Sequence, residues 1–136
     1  MEICIIVEGK NDLIRLRELL KDEVRIMCTF GIPAAGRVHD LVRSAADAQV
    51  FLMTDNDDSG RRIRSVLRDA FPDAEHIYTG RGFAGVEGTP GELLIRQLEK
   101  AGLEEYILKP SLNVLQQKND QRNRKYTEDS RGKHEL

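Results

Sequence analysis

Three acidic side chains crowd the stretch "FLMTDNDDSG" (51–60), directly after the run of apolar residues with which it begins. They are Asp55, Asp57 and Asp58. Like charges at this spacing repel one another, and burying a carboxylate without a partner costs free energy. A divalent cation would neutralise the repulsion, and Mg²⁺ prefers a few carboxylate oxygens together with several of its own waters. The pattern therefore predicts a site for Mg²⁺ or Mn²⁺ with these three aspartates as candidate ligands.

A second polar cluster, "VEGKND" (7–12), follows the first apolar run of the chain. Its first acid is Glu8. If the two apolar runs are neighbouring strands of a parallel sheet, Glu8 and the aspartates meet in one crevice beyond the carboxyl ends of the strands. We therefore expect Glu8 to be a further candidate ligand of the metal ion.

The aspartate cluster also matches parts of two simpler structures. Its spacing fits the first half of an EF-hand calcium loop, but the twelfth position is Val66 instead of Glu, and a strand is expected before it. This mismatch excludes a calcium loop. Alternatively, Asp55 and Asp58 cap the helix that follows, as Glu8 and Asp12 could cap the first helix. Capping explains one acid in each loop but not three within four positions.

Strands and helices alternate along the chain around these two clusters. Apolar runs, which are typical of buried parallel strands, occupy 3–7, 24–30, 50–53 and 75–79. Helical periodicity follows each of them, at 13–20, 38–45, 63–70 and 93–101. We expect Asn11 or Asp12 to cap the first helix. This alternation predicts an α/β fold class: a three-layer, Rossmann-like domain with a four-stranded parallel sheet flanked by helices. If the first and third strands are neighbours, as in flavodoxin-like folds, the strand order is 2-1-3-4.

Length and composition describe a single globular domain. The 136 residues are 40% hydrophobic and 32% charged, as is common in globular proteins. Since no apolar run approaches the roughly 20 residues that span a membrane, no membrane partner is expected. Cys4 and Cys28 lie in apolar runs without a CxxC pattern, which favours buried thiols in a reducing cytoplasm.

Charge is distributed unevenly around the net value of −2. Residues 1–115 hold 15 basic and 19 acidic residues, whereas residues 116–136 hold 6 basic and 4 acidic ones and almost no apolar side chains. We expect the domain to occupy 1–115 and the polar segment 116–136 to be a disordered or loosely helical tail. Such a mildly basic tail could assist binding to RNA or DNA.

Taken together, the motifs resemble the Toprim domain, which is shared by topoisomerases, bacterial-type primases, several nucleases and the ribonucleases that mature five-S ribosomal RNA. The resemblance rests on "VEGK-D" at 7–12, "TD-D--G-RIR" at 54–64 and "GVE" at 85–87. It covers about residues 1–110 and looks closest to the N-terminal domain of the ribosomal-RNA maturases. Where these maturases have a C-terminal substrate-binding domain, we expect the polar tail instead.

The resemblance implies a role for each candidate residue. Glu8 looks like the general acid/base of the family, which exchanges a proton with a phosphodiester oxygen. Asp55 and Asp57 look like its Mg²⁺-coordinating pair, whereas many relatives lack an acid at the position of Asp58. Lys10 would neutralise a non-bridging phosphate oxygen, or is simply solvated.

Basic residues indicate where nucleic acid would bind. Arg61, Arg64 and Arg68 lie along one face of the helix that follows the aspartates, so they could track a nucleic-acid backbone. Aromatic residues make up only 5% of the chain, which argues against an aromatic platform for stacked bases. Glu87 is either a further acid of the crevice or an ordinary loop carboxylate.

Two functions are compatible with these residues. The first is a Mg²⁺-dependent, ribonuclease-like enzyme that acts on RNA or DNA. The second is a non-catalytic module that binds nucleic acid or a nucleotide within a larger assembly, with a protein partner or a second copy of the chain. The intact acids favour the first function, and the expectation of a polar tail in place of a substrate-binding domain favours the second.

Overall fold

A parallel sheet forms the centre of the computed structural model, which describes residues 2–55, 57–79 and 85–111. Its strands are β1 (Glu2–Val7), β2 (Arg25–Cys28), β3 (Ala48–Thr54) and β4 (Glu75–Tyr78). They lie in the order β2-β1-β3-β4, and every neighbouring pair is parallel. The predicted α/β fold class and the strand order 2-1-3-4 are therefore confirmed.

Helices connect the strands and follow the last one. They are α1 (Lys10–Leu19), α2 (Ala35–Ser44), α3 (Asp58–Ala70), α4 (Gly85–Gly88) and α5 (Gly91–Lys100), followed by a 3₁₀ turn at Glu104–Tyr106. Helix α1 begins earlier than expected. Its cap residue is Gly9 rather than Asn11 or Asp12, and Asp12 lies in its first turn. The short helix α4 was not expected from the periodicity, since four residues are too few to show a helical repeat.

Two hydrophobic cores lie on opposite faces of the sheet. Alternate residues of β1 enter each core, so Ile5 faces one and Ile6 the other. The first core includes side chains of α1, α4 and α5, and the second includes side chains of α2 and α3. Burial on both faces explains why β1 and β3 appear in the sequence as continuous apolar runs rather than as an alternating pattern.

The predicted domain end at 115 and the polar tail at 116–136 lie outside the described residues. Within the described part of the chain, no helix has both the length and the apolar character that crossing a membrane requires.

Candidate active site at the carboxyl edge of the sheet

Glu8 and Asp55 lie next to each other at the carboxyl edge of the sheet. Glu8 directly follows β1 and Asp55 directly follows β3, and these two strands are hydrogen-bonded neighbours. The backbone N–H of Asp55 donates to Glu8 Oε1 over 2.7 Å. The structure therefore brings together two acids that are 47 positions apart in the chain.

Two glycines allow the surrounding helices to approach Asp55 closely. A Cβ atom on Gly60, in the first turn of α3, would lie 2.0 Å from the carbonyl oxygen of Asp55 and 2.8 Å from Glu8 Oε1. A Cβ atom on Gly85, at the start of α4, would lie 1.9 Å from Asp55 Oδ1. Gly85 also has a φ of +64°, which lies in the left-handed region that favours glycine. Asp55 is therefore enclosed between α3 and α4 in a space without room for larger residues.

Asp57 and Asp58 interact with their own helix. Asp57 is the N-cap of α3, and its Oδ1 accepts a hydrogen bond from the Gly60 N–H over 2.6 Å. Asp58 is exposed and forms an ion pair with Arg61. The cap of this helix is thus Asp57, and neither Asp55 nor Asp58 has the capping role considered for them above.

The candidate metal ligands do not form one close cluster among the described residues. Among the described residues, no three His, Cys, Asp or Glu side chains are grouped closely enough to hold a metal ion. The donor chemistry nevertheless fits Mg²⁺, because hard carboxylate oxygens are its usual protein ligands. In addition, the buried Oδ1 of Asp55 has no hydrogen-bond partner in the described part of the chain. An unpartnered carboxylate oxygen at this position is suited to a cation.

Burial and mutual repulsion raise the pKa values of the acids at this edge. The pKa of Glu8 is raised mainly by burial, and further by the charges of Asp55, Asp57 and Asp12; the hydrogen bond from the Asp55 N–H partly offsets this effect. The pKa of Asp55 is also raised mainly by burial, followed by the charges of Asp12 and Asp57. Both shifts reflect the free-energy cost of charging neighbouring carboxylates away from bulk water.

Asp12 connects α1 to α4. The sequence predicted it only as a helix cap and as a residue of the "VEGK-D" motif. Only 8% of Asp12 is exposed, and its carboxylate accepts hydrogen bonds from the N–H groups of Gly9 (3.1 Å) and Glu87 (3.2 Å). Burial raises the pKa of Asp12, and these two hydrogen bonds oppose the rise. Asp12 therefore holds α4, and with it Gly85, against the site. Gly85, the first glycine of "GVEG", is the sequence signal that such a close approach leaves.

Glu87 and Lys10 lie near this connection. The side chain of Glu87 is exposed, and its Oε1 accepts a hydrogen bond from Asn11 Nδ2 over 3.3 Å. Lys10 is exposed as the first residue of α1. Both side chains are therefore open to solvent at the end of the sheet that carries Glu8 and Asp55.

The basic residues of α3 do not share one exposed face. Arg61 and Arg68 are exposed, but only 5% of Arg64 is accessible. Burial of Arg64 therefore argues against its part in the expected contact with a nucleic-acid backbone, and that contact stays a prediction for Arg61 and Arg68. The helical spacing was read correctly, but the spacing alone does not reveal which helix position packs against β4.

Arg64 instead forms hydrogen bonds that connect the ends of β3 and β4. Its Nη2 donates to the carbonyl oxygens of Thr54 (3.4 Å) and Ile77 (3.2 Å), and its Nη1 donates to His76 Nδ1 over 2.7 Å. The guanidinium group also lies over the Tyr78 ring, 4.3 Å from the ring centroid. Because Thr54 directly precedes Asp55, Arg64 helps to hold the backbone that carries the acid.

Comparison with known proteins gives consistent matches. The family model of the Toprim domain matches residues 3–83. The uncharacterized protein YusF of Bacillus subtilis is 31% identical over 103 residues, which are 76% of this chain and 70% of that protein. A solved structure of a small TOPRIM domain protein from Bacillus stearothermophilus has a TM-score of 0.69 and 33% identity, and the match covers 75% of this chain and 86% of that one.

Two proteins named ribonuclease M5 also match. The one from Fusobacterium nucleatum is 29% identical over 82% of this chain, and the one from Clostridium botulinum is 30% identical over 74% of it. The alignments cover only 62% and 58% of the lengths of these two ribonucleases.

Proposed function

Since the chain belongs to the Toprim domain family, we propose that it is a Mg²⁺-dependent enzyme that cleaves nucleic-acid phosphodiesters in a ribonuclease-like reaction. The observation that carries this proposal is the contact of Glu8 with the backbone of Asp55, whose buried Oδ1 has no partner among the described residues. This contact puts a candidate proton-transfer group beside a candidate metal ligand. The two ribonuclease M5 matches support the same class of reaction.

The metal ligands that we propose are Asp55 and Asp57, with Glu8 and Asp58 as further candidates. Toprim domains generally bind metal ions, including Mg²⁺. When bound, Mg²⁺, or Mn²⁺ in its place, supplies Lewis-acid stabilisation of negative charge on the phosphate. Within the described residues, Asp55 Oδ1 is a buried carboxylate oxygen without a hydrogen-bond partner, which supports its assignment as a ligand.

Other residues of the chain would provide proton transfer and contacts to the phosphate groups. Glu8 would transfer a proton to or from the phosphodiester oxygen as general acid or base. Lys10, exposed at the start of α1, would neutralise a non-bridging oxygen. Arg61 and Arg68, the exposed basic residues of α3, would contact the nucleic-acid backbone.

Substitution of Glu8 tests the proposal directly. Gln at this position retains an oxygen that can accept the hydrogen bond from the Asp55 N–H, so the site should stay folded. Cleavage of labelled RNA and DNA with Mg²⁺ or Mn²⁺ should fall by about 10²–10⁴-fold in Glu8→Gln, the usual contribution of general acid–base catalysis. Nucleic-acid binding, measured by fluorescence anisotropy, should change little. Glu18→Gln, on the exposed face of α1, is the matched control.

A second candidate function is a non-catalytic module that binds nucleic acid. It is favoured by the arrangement of the acids, since no three His, Cys, Asp or Glu side chains among the described residues are grouped closely enough to hold a metal ion. If the wild-type protein binds nucleic acid, cleaves no RNA or DNA substrate and is unaffected by Glu8→Gln, this second function is correct and the first is refuted.

A cytoplasmic location fits both functions. Cys4 and Cys28 are buried and form no disulfide, as expected in a reducing compartment.

A further inference from the structure

Two large apolar side chains are exposed in the loop that leads from β2 to α2. Phe30 is 70% exposed and Ile32 is 53% exposed. We propose that Phe30 stacks on one unpaired base of the nucleic acid that binds at the carboxyl edge; this is a contact of a single ring, whereas the low aromatic content argues against a platform of several rings. The inference rests on the proposed function, because it assumes a nucleic-acid ligand, and it deepens that function by naming the substrate class as single-stranded or locally unpaired.

Hydrogen bonds hold this loop against the end of β1, beside Glu8. On one side of Phe30, the Thr29 N–H donates to the carbonyl oxygen of Val7 over 2.9 Å. On the other side, the Gly31 N–H donates to the carbonyl oxygen of Glu8 over 3.3 Å. The Cys28 Sγ group donates to the same Glu8 oxygen over 3.2 Å. The position of Phe30 is therefore tied, on both sides, to the strand end that carries the candidate proton-transfer group.

The backbone of Phe30 is unfavourable for its residue type. Its φ is +56°, in the left-handed region where glycine and asparagine are common and a bulky aromatic residue is rare. The ring does not compensate by entering a core, since most of the residue is exposed. Neither local conformation nor burial accounts for phenylalanine at this position. A strained residue of this kind indicates a function for its side chain.

A nucleobase is the ligand that suits this ring. The acids at the edge repel phosphate, and a contact that does not depend on charge would add to the affinity that Lys10, Arg61 and Arg68 provide for the backbone. Base–aromatic stacking is such a contact, and it needs a base that is not paired in a duplex. Tyr78 is less available for stacking, because Arg64 lies over its ring and His76 stacks against it. In the described part of the chain, no aromatic or cationic group is stacked on Phe30.

The test compares Phe30→Asn with Phe30→Tyr. Asn tolerates a positive φ, so this variant should fold with an unchanged or higher melting temperature while it loses the ring. Fluorescence anisotropy in Mg²⁺ measures binding of a labelled single-stranded oligonucleotide. The affinity of Phe30→Asn should be about 5- to 150-fold weaker than that of wild type. Binding of a blunt duplex should change by less than about twofold, and Phe30→Tyr should retain the wild-type affinity. Leu108→Ala, at a position that is 55% exposed, is the control for general loss of apolar surface.

The outcomes separate this inference from the proposed function. If Phe30→Asn binds the single strand as tightly as wild type does, the inference is overturned, whereas cleavage by wild type would still support the enzyme. If the variant binds weakly but wild type never cleaves, the stacking role stands and the catalytic proposal fails. Equal weakening toward single strand and duplex would overturn base stacking. Light scattering gives a further test. If wild type is a dimer, Phe30→Asn is a monomer and the oligonucleotide affinity is unchanged, base stacking is overturned, because the ring would then contact a second copy of the chain. A wild-type protein that binds no oligonucleotide would refute both.

Discussion

Replacing Asp55 with asparagine should stabilise the metal-free protein while it removes a proposed metal ligand. In the folded protein, Asp55 Oδ1 is buried without a hydrogen-bond partner among the described residues. Burial and the charges of Asp12 and Asp57 raise the pKa of Asp55, which means that folding disfavours its ionised form. At neutral pH the folded state therefore contains a costly charge, and the neutral amide of asparagine avoids this cost with almost no change in size.

The expected gain follows from the environment of that oxygen. A buried polar group without a partner costs about 1–3 kcal/mol, and a charged one costs more. The asparagine amide keeps the first cost and removes only the additional cost of the charge. Partial access to solvent, together with a hydrogen bond to the carboxylate from the backbone of Val86, limits this gain to about 1 kcal/mol. For a domain of this size, such a gain raises the melting temperature by about 3–5 °C.

Calorimetry in a chelator between pH 4 and pH 8 measures this gain. Because the folded pKa is raised above the unfolded one, the stability linked to Asp55 is present at low pH and is lost as the pH rises through the folded pKa. The advantage of Asp55→Asn should therefore be largest near neutral pH and shrink on acidification. Adding Mg²⁺ should raise the melting temperature of wild type but not of Asp55→Asn, since only a binding-competent folded state is stabilised by mass action.

Asp40→Asn, on the exposed surface of α2, is the control. An equal rise in the control would assign the effect to net charge rather than to the site. A lower melting temperature for Asp55→Asn in chelator would refute the reasoning, because the carboxylate would then have a stabilising partner. If Mg²⁺ stabilises wild type and Asp55→Asn equally, the metal binds elsewhere.

Two further substitutions test how the site is held together, each by urea unfolding. Gly85→Ala should lower the free energy of unfolding by about 2–4 kcal/mol, because its Cβ would lie 1.9 Å from Asp55 Oδ1 at a φ of +64°. Gly102→Ala, with a φ of +85° but open space around it, should lose only the backbone part, about 1–2 kcal/mol, and an equal loss in both would argue against the close approach. Arg64→Met should cost about 1–3 kcal/mol, because two buried carbonyl groups lose a donor. Arg61→Met, at an exposed ion pair, should cost no more than about 1 kcal/mol, and equal losses would contradict the role of Arg64 in connecting β3 and β4.

The fold and the meeting of Glu8 with Asp55 were predictable from the sequence. Continuous apolar runs identify strands that are buried on both faces, and helical repeats between them require parallel crossovers. Polar residues directly after two such strands must then lie at the same edge of the sheet. For strands that are neighbours, as β1 and β3 are, that edge becomes a shared site. The neighbourhood of β1 and β3 was assumed by analogy with flavodoxin-like folds and is confirmed by the structure. The other inferences depend on local periodicity and on chain order, both of which a single sequence displays.

Only the tertiary structure decided what the remaining polar residues do. Helical spacing placed Arg64 on a face with Arg61 and Arg68, but packing against β4 buries Arg64 and leaves the other two exposed. The interaction of Asp57 with Gly60 and the left-handed φ of Phe30 are likewise results of how the chain closes around the sheet. A sequence shows which side chains can hydrogen-bond or carry charge. The choice of partner depends on distances of a few ångströms between segments far apart in the chain, and those distances exist only once the helices have packed.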